Sequence, residues 1–235
     1  MKSTIITGLA AILLLAISCK KESALITDKS SAPALTTDIT EAGNYPSVNI
    51  HGQRWMTTNL AVTHYRNGDK IPQVKSKADW VALTTGAWCW YNNDSATGAV
   101  YGRLYNWYAV NDPRGLAPAG WHVPSGAEWD TLTTHLGGNA IAGGKLKDTG
   151  TIEAGTGLWY APNIGANNRS GFTALPGGSR FHVSFIDLGK YGYWWSSTDL
   201  STDNASIFGL GYGYRHAFHS ATTKLDGLSV RCIKD

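Results

Sequence analysis

Residues Gly171 to Thr198 read GFTALPGGSRFHVSFIDLGKYGYWWSST. The stretch opens on the turn Pro176-Gly177-Gly178, passes through Arg180, and closes on Trp194-Trp195-Ser196-Ser197-Thr198. Its apolar residues do not recur at helical spacing, so it has no amphipathic helical face to bury. Large aromatics set between glycine turns read instead as hairpin-like strands that must fold against the rest of the chain.

The neighbouring segments continue the pattern. Ala205 to His219 (ASIFGLGYGYRHAFH) reads as two strands around Gly211 or Gly213, and Leu228 to Ile233 (LSVRCI) as a last strand. Upstream, Tyr45 to Met56 alternates apolar and polar residues on both sides of His51-Gly52, which predicts a β-hairpin with Gly52 at the permissive turn position. Val62 to Tyr65 predicts a strand running into a turn at Arg66-Asn67-Gly68-Asp69, and Ala87 to Tyr91 a further strand.

Helix signals are fewer. Ser76 to Asp79 has the form of a capping box before Trp80, Val81 and Leu83, with Gly86 as a stop. Leu104, Trp107 and Tyr108 fall at helical spacing, ended by Asn111-Asp112-Pro113. Ser125 and Glu128 form the clearest box, after which Trp129, Leu132 and Leu136 share one helical face and Gly137-Gly138 stops it. That assigns Glu128 to a cap rather than to chemistry. A second short helix is expected from Ala140 to Lys147. The sum is an α+β protein: an early hairpin, two or three helices, then mostly strands.

Composition agrees. Ten Trp, eleven Tyr and 27 Gly point away from a helical bundle and toward short strands, many turns and an aromatic core. With 235 residues the chain can form one large domain or two small ones. The net charge is +3, and +2 once the leader carrying Lys2 is removed (3 − 1). That is too small and too dispersed for nucleic acid.

Met1 to Cys19, MKSTIITGLAAILLLAISC, has a positive start at Lys2, an apolar run to Ile17 and small Ser18 before Cys19. This is the layout of a secretory signal, too short for a spanning helix. Leu15 to Cys19 resembles a bacterial lipobox, with Ala16 where Leu is usual. The resemblance implies cleavage after residue 18 and acylation of Cys19, hence a cell-envelope protein anchored to the outer membrane; the alternative is a secreted protein cut elsewhere. Residues 19–43, rich in Ser, Thr, Ala and Asp, read as a flexible tether reaching roughly 25–30 Å, and residues 44–235 as the folded domain.

With Cys19 acylated, Cys89 and Cys232 remain as an even pair in an oxidising compartment. A disulfide between an early and a late strand is expected, and two buried thiols are the alternative. His216 and His219, three apart, point to opposite faces of a strand, and with His182 they make no zinc pattern. Asp187, Asp199, Asp203 and Asn204 could supply oxygen ligands for calcium; a polar turn from Asp199 to Asn204 is the simpler reading, and no cofactor is expected. Gly138 to Lys145 fails as a phosphate loop, because Gly144 stands where Lys is required. No Gly-x-Ser-x-Gly elbow is present.

Several segments together resemble the Fibrobacter succinogenes major paralogous domain, a family of exported, often lipid-anchored bacterial proteins. They are Tyr45 to Met56 with Asn59-Leu60, Tyr101 to Val110, Gly120 to Ser125 with Glu128-Trp129, Gly143 to Lys147, Gly171-Phe172 with Ala174 to Gly178, Trp194 to Thr198, and Ser229 to Cys232. The likeness covers nearly all of the mature chain. A weaker one, over Val123 to Trp129 and the C-terminal strands, is to C-type-lectin-like domains and their formylglycine-generating branch. It implies a lectin-like single domain, but the paired catalytic cysteines of that branch and a Glu-Pro-Asn-like calcium loop are both missing.

The expected function is a non-catalytic binding or adhesion module for polysaccharide, with a glycan or a surface protein as partner besides the membrane. The candidate surface is Tyr191, Tyr193 and Trp194, with Arg180, His182 and Asp199 as polar neighbours: rings stack on apolar ligand faces while polar tips orient them. Alternation lets at most one of Trp194 and Trp195 face outward, and a core position is the alternative for either. The rival classes are a hydrolase or oxidoreductase with a composite cleft, and a structural envelope component.

Overall fold

The structure is a computed structural model that describes residues 45–235. The expected leader over 1–18, the expected acylation at Cys19 and the expected tether over 19–43 lie outside the described residues.

In chain order the elements are β1 (Ser47–Ile50), β2 (Gln53–Met56), α1 (Lys77–Val81), β3 (Trp88–Cys89), α2 (Ser95–Tyr101), β4 (Leu104–Tyr105), α3 (Trp107–Val110), β5 (Trp121–His122), α4 (Gly126–His135), α5 (Asn139–Leu146), β6 (Gly177–Phe181), β7 (Ser184–Leu188), β8 (Tyr191–Asp199), β9 (Asn204–Gly211), β10 (Ala217–Thr223) and β11 (Ile233–Lys234). They form a four-stranded sheet ordered β1-β2-β11-β5, a five-stranded sheet ordered β10-β9-β8-β6-β7, and the pair β3-β4. Pairing is antiparallel except between β6 and β8, so the molecule is a mostly antiparallel α+β domain.

Local chemistry accounts for the elements that were expected. His51 (φ 49°) and Gly52 (φ 89°) are both left-handed, and Ile50 pairs with Gln53 across them. Two positive φ values in a two-residue turn match the right-handed twist of the strands. Ser76 Oγ accepts from Asp79 N at the start of α1, whose buried Trp80 donates its indole N–H to Leu225 O at 2.7 Å. At α4 both halves of the Ser125/Glu128 box are made, a cap worth about 1 kcal/mol.

The helical spacing of Leu104, Trp107 and Tyr108 is overruled. Leu104–Tyr105 pair with Trp88–Cys89 as strands, and α3 starts only after Asn106. Asn106 Oδ1 accepts from Ala109 N (3.1 Å) and from Ala87 N (2.9 Å), so one side chain both starts the helix and holds the preceding strand. Helix α2 carries no apolar stripe that periodicity could detect; Asp94 caps it by accepting from Ala96 N. The expected strand from Leu228 to Ile233 pairs only as single bridges, Leu228 with Tyr105 and Ser229 with Trp194, before β11.

Strand β8 runs through the centre. Its residues alternate between the two faces of the five-stranded sheet. Trp194 belongs to one core cluster with Trp129, Phe172, Phe208 and Leu210. There Trp129 of α4 stacks on Phe208 of β9, with ring centroids 4.2 Å apart and planes 5° apart. Trp195 belongs to another, with Trp107, Ile207, Leu228 and Val230. The second cluster covers only the Trp195 end of its face, and the Tyr191–Tyr193 end remains half open.

Candidate functional site

Tyr191 and Tyr193, two residues apart on β8, share that open end. Both are half-buried, and their rings stack at 5.5 Å with planes 6° apart. Across the sheet Tyr191 pairs with Gly211 and Tyr193 with Gly209. Neither glycine raises a side chain, so the Phe218 and Tyr214 rings fill the space. A Cβ at Gly209 would sit 2.2 Å from the Phe218 ring, and one at Gly211 would sit 2.5 Å from the Tyr214 ring. Phe218 meets Tyr193 edge-on at 6.3 Å, Tyr214 lies 6.2 Å from Tyr191, and exposed His216 stacks on Tyr214 at 3.8 Å. The outcome is a platform of three half-buried aromatic rings on β8 and β10, extended by Tyr214 and His216 between β9 and β10.

Beside Tyr193 the same face dips into a cleft of about 170 Å³. Phe181, Ile186, Tyr193 and Ile207 line it with apolar surface, while Ser179, Thr222 and Asp226 supply polar groups. Asp226 is buried; its Oδ1 accepts from His182 N at 3.0 Å, and its Oδ2 accepts from the Thr222 hydroxyl. Burial raises its pKa above the ordinary carboxylate value, an effect the two hydrogen bonds partly offset. Tyr193 donates its hydroxyl to Asp187 Oδ2 at 3.0 Å. Burial and the nearby Asp187 raise the Tyr193 pKa, and burial with the Tyr191 hydroxyl raises that of Tyr214, so both phenols stay protonated. The face therefore offers ring surfaces, hydroxyls and one recessed carboxyl.

The expected residues separate. Tyr191 and Tyr193 are on the platform. His182 sits at the exposed β6–β7 turn and reaches the cleft through its backbone N–H. Trp194 is corrected to the core: it is fully buried, and its indole N–H donates to Asn59 Oδ1 at 2.9 Å. Trp195 is equally buried, so neither indole faces out, because both sides of β8 are covered at that point. Arg180 is also corrected to the core. Its guanidinium donates to the carbonyls of Val74 (2.9 Å) and Ser76 (3.0 Å) and lies over the Trp80 ring. Asp199 is six positions along β8 from Tyr193, roughly 20 Å at a strand's rise. It pairs with Lys224 at 2.8 Å, which lowers its pKa through that hydrogen bond.

Tyr214, Phe218, Asp187, Thr222 and Asp226 were missing from the sequence reading of the site. A signal for the first two was present: Gly209 and Gly211 alternate on one strand face, which leaves a bare strip that only rings from neighbouring residues can fill.

The disulfide is corrected as well. Cys89 and Cys232 are free and buried. Burial pushes the Cys89 thiol up to about 11 and the Cys232 thiol up to about 12, so neither has thiolate character at neutral pH. Among the described residues no group of three or more His, Cys, Asp or Glu could hold a metal ion, and no helix is long and apolar enough to cross a membrane. His219 faces Asp130 at 3.2 Å.

The fold and its open face define a small α+β domain with a solvent-facing aromatic sheet surface. Residues 48–234 match the Fibrobacter succinogenes major domain, and the chain belongs to that family. Neither the curated proteins nor the solved structures yield a match to the chain.

Proposed function

We propose that the chain is an envelope lipoprotein whose open sheet face binds polysaccharide, as an adhesion or capture module without chemistry of its own. The observation that carries this reading is the stacked, parallel Tyr191–Tyr193 pair, half-buried on the sheet face opposite Gly209 and Gly211. The ring surface that the stacked pair leaves partly exposed can pack against the apolar C–H face of a sugar, and ring area buried in that way contributes at about 25 cal/mol per Å². The lectin-like likeness of Val123 to Trp129 supports the same direction. Export and acylation at Cys19 rest on the leader from Met1 to Cys19.

A glycan array with and without calcium tests the binding reading, with Tyr191→Ala as the informative variant because Tyr191 is partly exposed. Calcium-independent binding weakened about tenfold or more by that change is expected, roughly the 1.4 kcal/mol of one lost ring contact. Full binding in Tyr191→Ala, or turnover of glycans in a hydrolase screen, would reject it. For the anchor, labelled palmitate enters the wild type and not Cys19→Ala; label in both would reject acylation at this residue.

A further inference from the structure

The cleft beside Tyr193 differs from the platform in shape and chemistry. It is about 170 Å³, well below the roughly 300–1,000 Å³ of a pocket that encloses a drug-sized ligand. That size suits one six-membered ring rather than a chain of several. Asp226 and Leu228 in its lining are buried. Of its apolar lining, Phe181 and Ile186 stand exposed on the β6–β7 hairpin.

We infer that this cleft receives a single uncharged sugar residue at the end, or on a side branch, of the polysaccharide chain lying along Tyr191 and Tyr193, an inference that rests on the function proposed above. Tyr193 joins the two parts, since it stacks on Tyr191 and also lines the cleft. Each oxygen of Asp226 already accepts one hydrogen bond, from His182 N and from the Thr222 hydroxyl. A carboxylate oxygen has room for a second, so the recessed group selects ligand hydroxyl donors. A uronate or sulfate pressed against it would bring like charge into a partly buried site, where repulsion is poorly screened. The surrounding apolar walls take the C–H face of the same ring.

Isothermal titration of the mature, detergent-solubilised protein tests this with three probe sets: short linear β-glucan and α-mannan oligosaccharides, cyclic glucans of the same linkage, and uronate-terminated oligosaccharides. Linear neutral chains are expected to bind about tenfold or more tightly than cyclic or uronate-terminated ones. Ile186→Trp fills the cleft from an exposed edge-strand position and should weaken linear-chain binding about as much as Tyr191→Ala does. Asp226→Asn should narrow the gap between neutral and uronate-terminated chains. Linear and cyclic chains that bind alike, or Ile186→Trp within twofold of wild type, would overturn the cleft assignment while leaving the platform standing. Loss of nothing in Tyr191→Ala, or no binding of any probe by the wild type, would remove the platform and this inference with it.

Discussion

Asn59 Oδ1 accepts both Nε (3.1 Å) and Nη2 (2.9 Å) of Arg231, and the indole of Trp194 donates to the same oxygen. Arg231 is fully buried, and its other donors go to the carbonyls of Met56, Phe172 and Thr173. Its cation is thus solvated by carbonyl dipoles, and burial lowers its pKa to about 9. The amide of Asn59 faces the other way, donating to Tyr101 O and Ser229 Oγ. One small side chain therefore joins the β1–β2 hairpin region, α2, β8 and the C-terminal segment.

Removing that acceptor leaves three buried donors without a partner, two of them on a charged group. Asn59→Ala is expected to cost about 3 kcal/mol or more, read as a lower urea midpoint with unchanged slope. Trp194→Phe loses one neutral hydrogen bond and part of a ring, and should cost less, about 2 kcal/mol. A cost below about 1 kcal/mol for Asn59→Ala would mean that the network does not organise the core.

Cys89 and Cys232 predict an insensitivity. Stability in reductant and in air should agree within about 0.5 kcal/mol, whereas losing a native disulfide typically costs about 2–5 kcal/mol. Both thiols should resist a thiol reagent in the native state and react once denatured. A reductant-dependent midpoint would contradict the free, buried thiols seen here.

The elements legible in the sequence are those whose cause is local. His51-Gly52, Ser76 and the Ser125/Glu128 box act through backbone groups within a few residues, so their chemistry can be read off a short window. Helix α2 has no such stripe, and Asn106 breaks an apparent helix because it also accepts from Ala87, nineteen positions away. The site was half legible for a related reason. Alternation along β8 places Tyr191 and Tyr193 on one face, but whether that face is covered depends on β9, β10 and the segment from Leu228, none of which a window around Trp194 contains. Arg180 and Trp194 carry the residue types of a sugar site, yet the Arg180 Nη1 and Nη2 groups and the Trp194 indole N–H are spent on Val74, Ser76 and Asn59.

His122 sits between two carboxylates, with Nε2 2.7 Å from Glu128 and Nδ1 2.7 Å from Asp235. Burial lowers its pKa, but the hydrogen bonds to Glu128 and Asp235 outweigh that, and it ends above the ordinary 6.5. The folded state thus holds its proton more tightly than the unfolded chain. This contribution is complete below pH 6.5 and is lost as pH rises through the folded value. For Glu128, burial acts upward, but the Ser125 backbone and His122 bonds prevail and lower the pKa below 4.5, so its contribution is complete above 4.5 and lost toward acid. Thermal midpoints should therefore fall on both sides of a plateau between these values. His122→Phe should flatten the alkaline side by less than about 1 kcal/mol, since the group is partly exposed. An alkaline slope identical in wild type and variant would refute the pairing.

Lys147 links stability to the aromatic face. It is fully buried, and its ammonium donates to the carbonyls of Ile164 (3.0 Å), Gly211 (2.9 Å) and Tyr214 (2.9 Å). The last two bracket the turn that carries the Tyr214 ring over Gly211, so this cation shapes one end of the platform. Burial lowers its pKa from 10.5 to about 8, and the unfolded chain binds more protons between those values. Stability conferred through Lys147 should then rise with pH across that interval, opposite in sign to the His122 effect. Lys147→Met keeps the stem but leaves three carbonyls unbonded, and should cost about 2 kcal/mol or more. It should also abolish the rise between pH 8 and 10.5, and weaken glycan binding more than it weakens the fold, because the loosened segment is the one under Tyr214. Equal pH profiles for the two proteins, with undiminished binding, would show that the ammonium merely fills space.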